Sequence, residues 1–161
     1  MRVYLVRHAK ASKDPNIPTD AERPLTGRGR ADAEQIAQWI AAAGIEIHQI
    51  RHSGLVRAQQ TADIFGQFLK PAAGVIAVKG LTYADPVEPL AQEIAYETDP
   101  VMLVGHNPFM EQLAARLITG TDAKTPVSFG TSSVACLDLD AGQWVLKWAL
   151  HRELVPDGEK D

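Results

Sequence analysis

Arg7-His8, Ser53-Gly54-Leu55-Val56-Arg57, Tyr83-Ala84-Asp85 and Gly105-His106-Asn107 occur in that order, each just after a short apolar run. If those runs are parallel strands of one sheet, the four stretches meet outside the strands' carboxyl ends, where such sheets bind ligands. Two arginines, two histidines and two helix N-termini would then share one rim. Guanidinium forks match phosphate oxygens bidentately, and helix N-termini offer free N–H groups and a positive dipole. A neutral imidazole is a competent nucleophile. Neighbouring cations lower its pKa and stabilise charge on a transferring phosphoryl group. The chemistry these residues suit is therefore attack of a histidine on phosphorus.

The elements that must position them follow from periodicity. Val3–Val6 is a continuous apolar run, as in a strand buried on both faces. Ala9 to Leu25 holds three prolines and no clean period, and reads as a long loop. A helix starts near the N-cap Thr26, carries Ile36, Trp39, Ile40 and Ala43 on one face, and closes at Gly44. A second strand lies within residues 47–52. Ser53 or Gly54 caps the next helix, which buries Leu55, Ala58, Ala62, Phe65 and Leu69 and ends before Pro71. Residues 75–78 form a third strand, and 86–97 a helix with Leu90, Ile94 and Ala95 inward. After the apolar strand 101–104, Asn107 caps a helix with Pro108 at its first position. Strands 133–139 and 144–150 finish the chain around a turn at Asp140-Ala141-Gly142, before a frayed polar tail. Alternating strands and helices predict a single-domain α/β fold of three layers, α/β/α, with a mostly parallel central sheet. The domain spans 1–155, with 156–161 as tail.

Composition narrows the function. Sixteen basic against 20 acidic residues give a net charge of −4, which argues against a nucleic-acid partner held by bulk charge. The lone Cys136 allows no intrachain disulfide and fits a reducing compartment. No run approaches the roughly 18 apolar residues of a membrane span, and the apolar run near Met1 is too short for a signal-peptide core. A monomer in the cytoplasm, with no membrane partner, is the expectation.

Three of the stretches carry a family resemblance. Arg7-His8-Ala9 resembles the Arg-His-Gly signature of the histidine phosphatase superfamily, whose fold is phosphoglycerate mutase-like. The segment from Ser53 through Arg57-Ala58 to Thr61-Ala62 resembles its Ser-x-x-x-Arg-Ala-x-x-Thr-Ala pattern, and Val104-Gly105-His106-Asn107-Pro108 its second histidine motif. Glu22-Arg23-Pro24-Leu25-Thr26 and the short length are similar to the SixA-type phosphohistidine phosphatases. The resemblance implies that His8 attacks phosphorus and becomes a phosphohistidine, which water hydrolyses. It implies that Arg7, Arg57 and His106 hold the phosphate, that Arg23 is a further phosphate-facing arginine, and that no metal or other cofactor is needed. The partner would be a phosphohistidine-bearing protein, such as a phosphotransfer or phosphorelay domain, with phosphate or another oxyanion in the pocket.

The wider superfamily supplies a carboxylic acid to protonate an alkoxide leaving group. Here Asp85 is the possible general acid and Glu88 the other candidate, and neither sits in a matching pattern. An imidazole leaving group, protonated with a pKa of roughly 6.5, departs more easily, so a weak acid favours phosphohistidine over a sugar phosphate. The length leaves no room for a lid insertion, which predicts an open, shallow site. Rival readings are a small-molecule phosphomonoesterase of the same fold and a non-catalytic phosphoprotein-binding module. A metallohydrolase lacks the H-E-x-x-H spacing. His48, His52 and His151 read as background, Lys10 and Lys13 as loop charges, and Thr131 to Ser133 as local turn formers.

Overall fold

The computed structural model describes residues 1–157; Gly158–Asp161, most of the expected tail, lie outside them. Six strands form one sheet in the order β3-β2-β4-β1-β5-β6. They are β1 (Arg2–Arg7), β2 (Gln49–His52), β3 (Val75–Ala77), β4 (Val101–Gly105), β5 (Val134–Asp140) and β6 (Gln143–Leu150). The first four run parallel, and β5 and β6 are antiparallel, joined at Ala141-Gly142, where both residues have positive φ.

Successive side chains of a strand point to opposite faces, and the central strands are apolar on both. Tyr4 and Val6 face a core shared with Met102, Val104 and Ile50, covered by Ile36, Ile40, Ala62 and Phe65. Those last four belong to α1 (Gly27–Ala42) and α2 (Val56–Leu69). Val3 and Leu5 face the other core with Val101 and Leu103, covered by Leu90, Ile94, Phe109 and Leu113 of α3 (Glu88–Ile94) and α4 (Phe109–Thr119). The fold is thus the expected three-layer α/β/α arrangement. Among the described residues no helix is long and apolar enough to cross a membrane.

Several expected boundaries move, each for a local reason. Neither Ser53 nor Gly54 caps α2; Leu55 takes that position without a side-chain bond. Pro108, after a cis peptide bond to Asn107, takes the cap position of α4. The α3 helix is shorter than residues 86–97, and Ala95 is exposed beyond its end. The chain after His151 is fastened rather than frayed, up to the last described residue. Residues 152–154 form a 3-10 turn, Arg152 Nε donates to Asp32 Oδ1 at 2.8 Å, its Nη2 pairs with Asp157, and Val155 is buried.

The loop 9–25 is better anchored than its composition suggests. Thr26 caps α1 by accepting from Gly29 N–H at 2.9 Å, and its own N–H donates to the Lys10 carbonyl at 2.9 Å. Gly29 sits under that carbonyl, and a Cβ there would lie 2.2 Å from Lys10 O. Ala11 and Leu25 bridge the two ends of the loop. Since backbone has no rotamer to yield, Gly29→Ala is expected to destabilise the protein by about 1–3 kcal/mol, measured by urea unfolding. An unchanged midpoint would show that the contact is slack.

Candidate active site

The register of the central strands brings the motifs together. Arg7 lies opposite Gly105, and His8 N–H donates to Gly105 O at 2.9 Å. The next residues on the two strands, His8 and His106, therefore face each other with ring centroids 4.9 Å apart. Arg57 enters from the first turn of α2, buried to 3% exposure, and His106 is buried to 2%. Tyr83, 46% exposed, stands edge-on to His106 with centroids 6.0 Å apart. All four stretches thus meet at the carboxyl ends of the parallel strands.

Each side chain is fixed by a specific bond. His8 Nδ1 lies 2.7 Å from the Ala9 carbonyl. A carbonyl only accepts, so the ring proton sits on Nδ1 and Nε2 keeps its lone pair. Ser53 Oγ is 2.6 Å from His106 Nε2 and already accepts from Leu55 N–H at 3.3 Å. That contact fixes the orientation of the His106 ring on the turn after β2. Arg7 Nη1 donates to Phe129 O at 2.9 Å, and Asn107 Nδ2 donates to the same carbonyl at 3.0 Å. Thr61 ties the parts together: its hydroxyl accepts from Ala9 N–H at 3.0 Å and donates to Arg57 O at 2.7 Å.

Some buried donors have no protein partner. Arg7 Nε and Arg57 Nε are buried without one, and so is the ring nitrogen His106 Nδ1. Orphaned buried donors are costly and uncommon, and here two come from arginines clustered around His8. Guanidinium groups gathered in this way match an anion with several acceptor oxygens.

Both histidines are held neutral. The pKa of His8 is pushed down to about 4 and that of His106 to about 3. For His8, burial is the largest cause; the Ala9 carbonyl opposes it, and Arg57, Arg7 and Arg23 add to it. For His106, burial again leads, followed by His8 and Arg57. The sequence pointed to the cations alone, whereas desolvation does more.

The remaining expected residues fall into two groups. Arg23 belongs to the cluster: its charge lowers the His8 pKa, its Nε donates to Ser12 O at 2.6 Å and its Nη1 to Asp20 Oδ1 at 2.9 Å. Asp85 and Glu88 are otherwise engaged. Asp85 Oδ2 accepts from the N–H and hydroxyl of Thr82, at 2.8 and 2.7 Å. Glu88 takes a bidentate bond from Arg116 at 2.5 and 3.0 Å, which holds its carboxyl below the usual range. Loop 9–25 lays Asp20 on Arg57, whose Nη1 and Nη2 donate to Asp20 O and Oδ2 at 2.8 and 3.0 Å. Asp20 carries no motif signal beyond its place three residues before Arg23.

Positioning roles emerge for residues that looked like background. His52 Nδ1 accepts from Gly54 N–H at 3.1 Å and shapes the turn that presents Ser53. Ser132, at φ 63°, donates its N–H to Arg7 O at 3.1 Å, and Arg7 N–H donates to Ser133 O at 3.2 Å.

Residues 3–82 match the model of the histidine phosphatase superfamily (branch 1). Phosphohistidine phosphatase SixA of Escherichia coli K12 is 28% identical over 155 residues, covering 93% of both chains. A candidate SixA structure from Agrobacterium tumefaciens is 34% identical, with TM-score 0.79, over 93% of this chain and 97% of that one. A structure of protein histidine phosphatase SixA complexed with tungstate superimposes with TM-score 0.87 at 26% identity, over 97% and 100% of the two chains. This chain belongs to the histidine phosphatase superfamily. It is a phosphatase, and its expected fold and family resemblance both hold.

The depressed histidine pKa values make a measurable prediction. In the folded state His8 titrates near 4, below the unfolded value of about 6.5, so acid favours the unfolded chain, which binds the proton first. The stabilisation is complete above about pH 6.5 and is lost as pH falls through the folded-state values. Ring-proton NMR should show neither His8 nor His106 titrating between pH 5.5 and 8. A midpoint near 6.5 for either would contradict the burial of the pair.

Proposed function

We propose that this phosphatase removes the phosphoryl group from phosphohistidine on a protein, a phosphotransfer or phosphorelay domain, through a covalent intermediate on His8. The observation that carries the reading is the bond from His8 Nδ1 to the Ala9 carbonyl. It leaves Nε2 as a proton-free nucleophile beside donors that lack partners.

Arg7, Arg57 and His106 hold the phosphoryl oxygens, and Arg23 adds positive charge from the loop. The lone pair of His8 Nε2 forms a bond to phosphorus as the substrate's P–N bond breaks in line. The electron pair of that bond returns to the departing ring nitrogen. A phosphorylated ring protonated on its second nitrogen leaves as neutral imidazole, since that nitrogen titrates around 6.5 in an ordinary histidine. Water then attacks phosphorus, the bond to Nε2 breaks with its pair returning to His8, and the water's proton passes to solvent. The arginines oppose the negative charge that builds on the phosphoryl oxygens in both steps.

One observation favours phosphohistidine over an alkyl phosphate. A departing alkoxide needs a proton from an acid, yet Asp85 is bonded to Thr82 and ionised Glu88 to Arg116. The tungstate held by a SixA relative, a tetrahedral oxyanion of the phosphate class, supports a phosphoryl site for either kind of substrate. The protein substrate is also the reading that best fits a chain without a lid insertion. Asp85 keeps a role in shaping the turn that carries Tyr83.

The test compares substrates without added metal. A phosphorylated histidine domain and phosphoramidate are expected to be hydrolysed at least about a hundredfold faster than sugar phosphates, a margin of the size general acid catalysis supplies. His8→Ala should abolish this turnover while leaving the circular dichroism spectrum unchanged. Preference for sugar phosphates would favour the small-molecule phosphomonoesterase. Turnover that survives His8→Ala would overturn the nucleophile assignment.

A further inference from the structure

Asp20 lies in a 3-10 turn at residues 20–22, on the loop that follows His8. Its carboxylate joins two arginines of the cluster, with Oδ2 accepting from Arg57 Nη2 at 3.0 Å and Oδ1 from Arg23 Nη1 at 2.9 Å. Its carbonyl also accepts from Arg57 Nη1 at 2.8 Å. Both terminal nitrogens of Arg57 are therefore engaged by one residue, while Arg57 Nε remains buried without a partner. The partners differ in freedom. The Arg57 side chain is 4% exposed, and that of Asp20 is 45% exposed, so the carboxylate is the member of the pair able to move.

A carboxylate and a phosphoryl group seek the same guanidinium geometry. Asp20 is also ionised, since Arg23 and then Arg57 hold its carboxyl below the usual range. An anion of the protein itself thus stands against the arginines that an incoming oxyanion needs. Hydrolysis by this route releases orthophosphate, and a pocket that binds this product as tightly as the transition state gains nothing in turnover.

We propose that Asp20 is an internal carboxylate that shares Arg57 and Arg23 with the phosphoryl group and limits the pocket's affinity for free oxyanion. The inference rests on the reading of this pocket as a phosphoryl site. Asp20 sets how much of the arginines' charge reaches the ligand, and so favours release of product over its retention. A role confined to fastening the loop makes the opposite prediction, because a loosened loop weakens oxyanion binding.

Calorimetric titration with orthophosphate and with tungstate separates the two. Asp20→Asn removes the charge at nearly constant shape, and Asp20→Ala removes the carboxylate altogether. Loss of a half-exposed charge near the ligand is expected to tighten oxyanion binding about three- to tenfold. Orthophosphate should become a correspondingly stronger product inhibitor. Tightening in either variant supports the proposal, and unchanged or weaker binding in both overturns it. If the unsubstituted protein binds neither oxyanion, the phosphoryl-site reading itself fails, and this inference fails with it.

Discussion

Arg7 pairs with Gly105 across the two central parallel strands, and the geometry of the site descends from that register. One residue further on, His8 and His106 leave the sheet side by side, with the His8 N–H fixed to the Gly105 carbonyl. A slip by one residue would turn the strand's side chains to the wrong faces. Both faces are packed: Val3 and Leu5 serve one core, Tyr4 and Val6 the other. The same burial that stabilises the sheet therefore sets the spacing of the two histidines.

Burial also supplies the electrostatics. Two imidazoles and several guanidinium groups share a poorly solvated rim, so the groups that can lose a proton do so. His8 and His106 are neutral, whereas a guanidinium has no proton it can lose in this range. The result is a proton-free imidazole nitrogen on His8 beside a fixed positive field. Arg7 and Arg57, each with a buried Nε that has no protein partner, carry that field. Asp20 balances part of it from the loop, which keeps the cluster from being an unrelieved concentration of like charge.

The layers, strand order along the chain and meeting of the four stretches were legible because apolar runs and their helical partners carry strong periodic signals. What was not legible concentrates at the site. Ser53 and Asn107 have side chains typical of helix caps, but Ser53 binds His106, and Asn107 binds Glu111 and Phe129 O. Both helices consequently start later than the capping signals suggest. Local rules commonly give way at functional sites in this manner. Asp20 was hidden for another reason: its loop has no period, so only tertiary contact shows that its carboxylate reaches Arg57. Thr61 was visible as part of a motif, yet its task of joining Ala9 to Arg57 depends on a contact across 52 residues of sequence.

The central claim is that His8 Nε2 carries the phosphoryl group during turnover, and rapid-quench labelling tests it most directly. The protein is mixed with a histidine domain carrying radiolabelled phosphate, denatured in alkali within one turnover, and mapped by peptide analysis. The account predicts a phosphate on His8 that survives alkali and is released by acid. Substrate turnover with no label on His8, or with label on another residue, would contradict it.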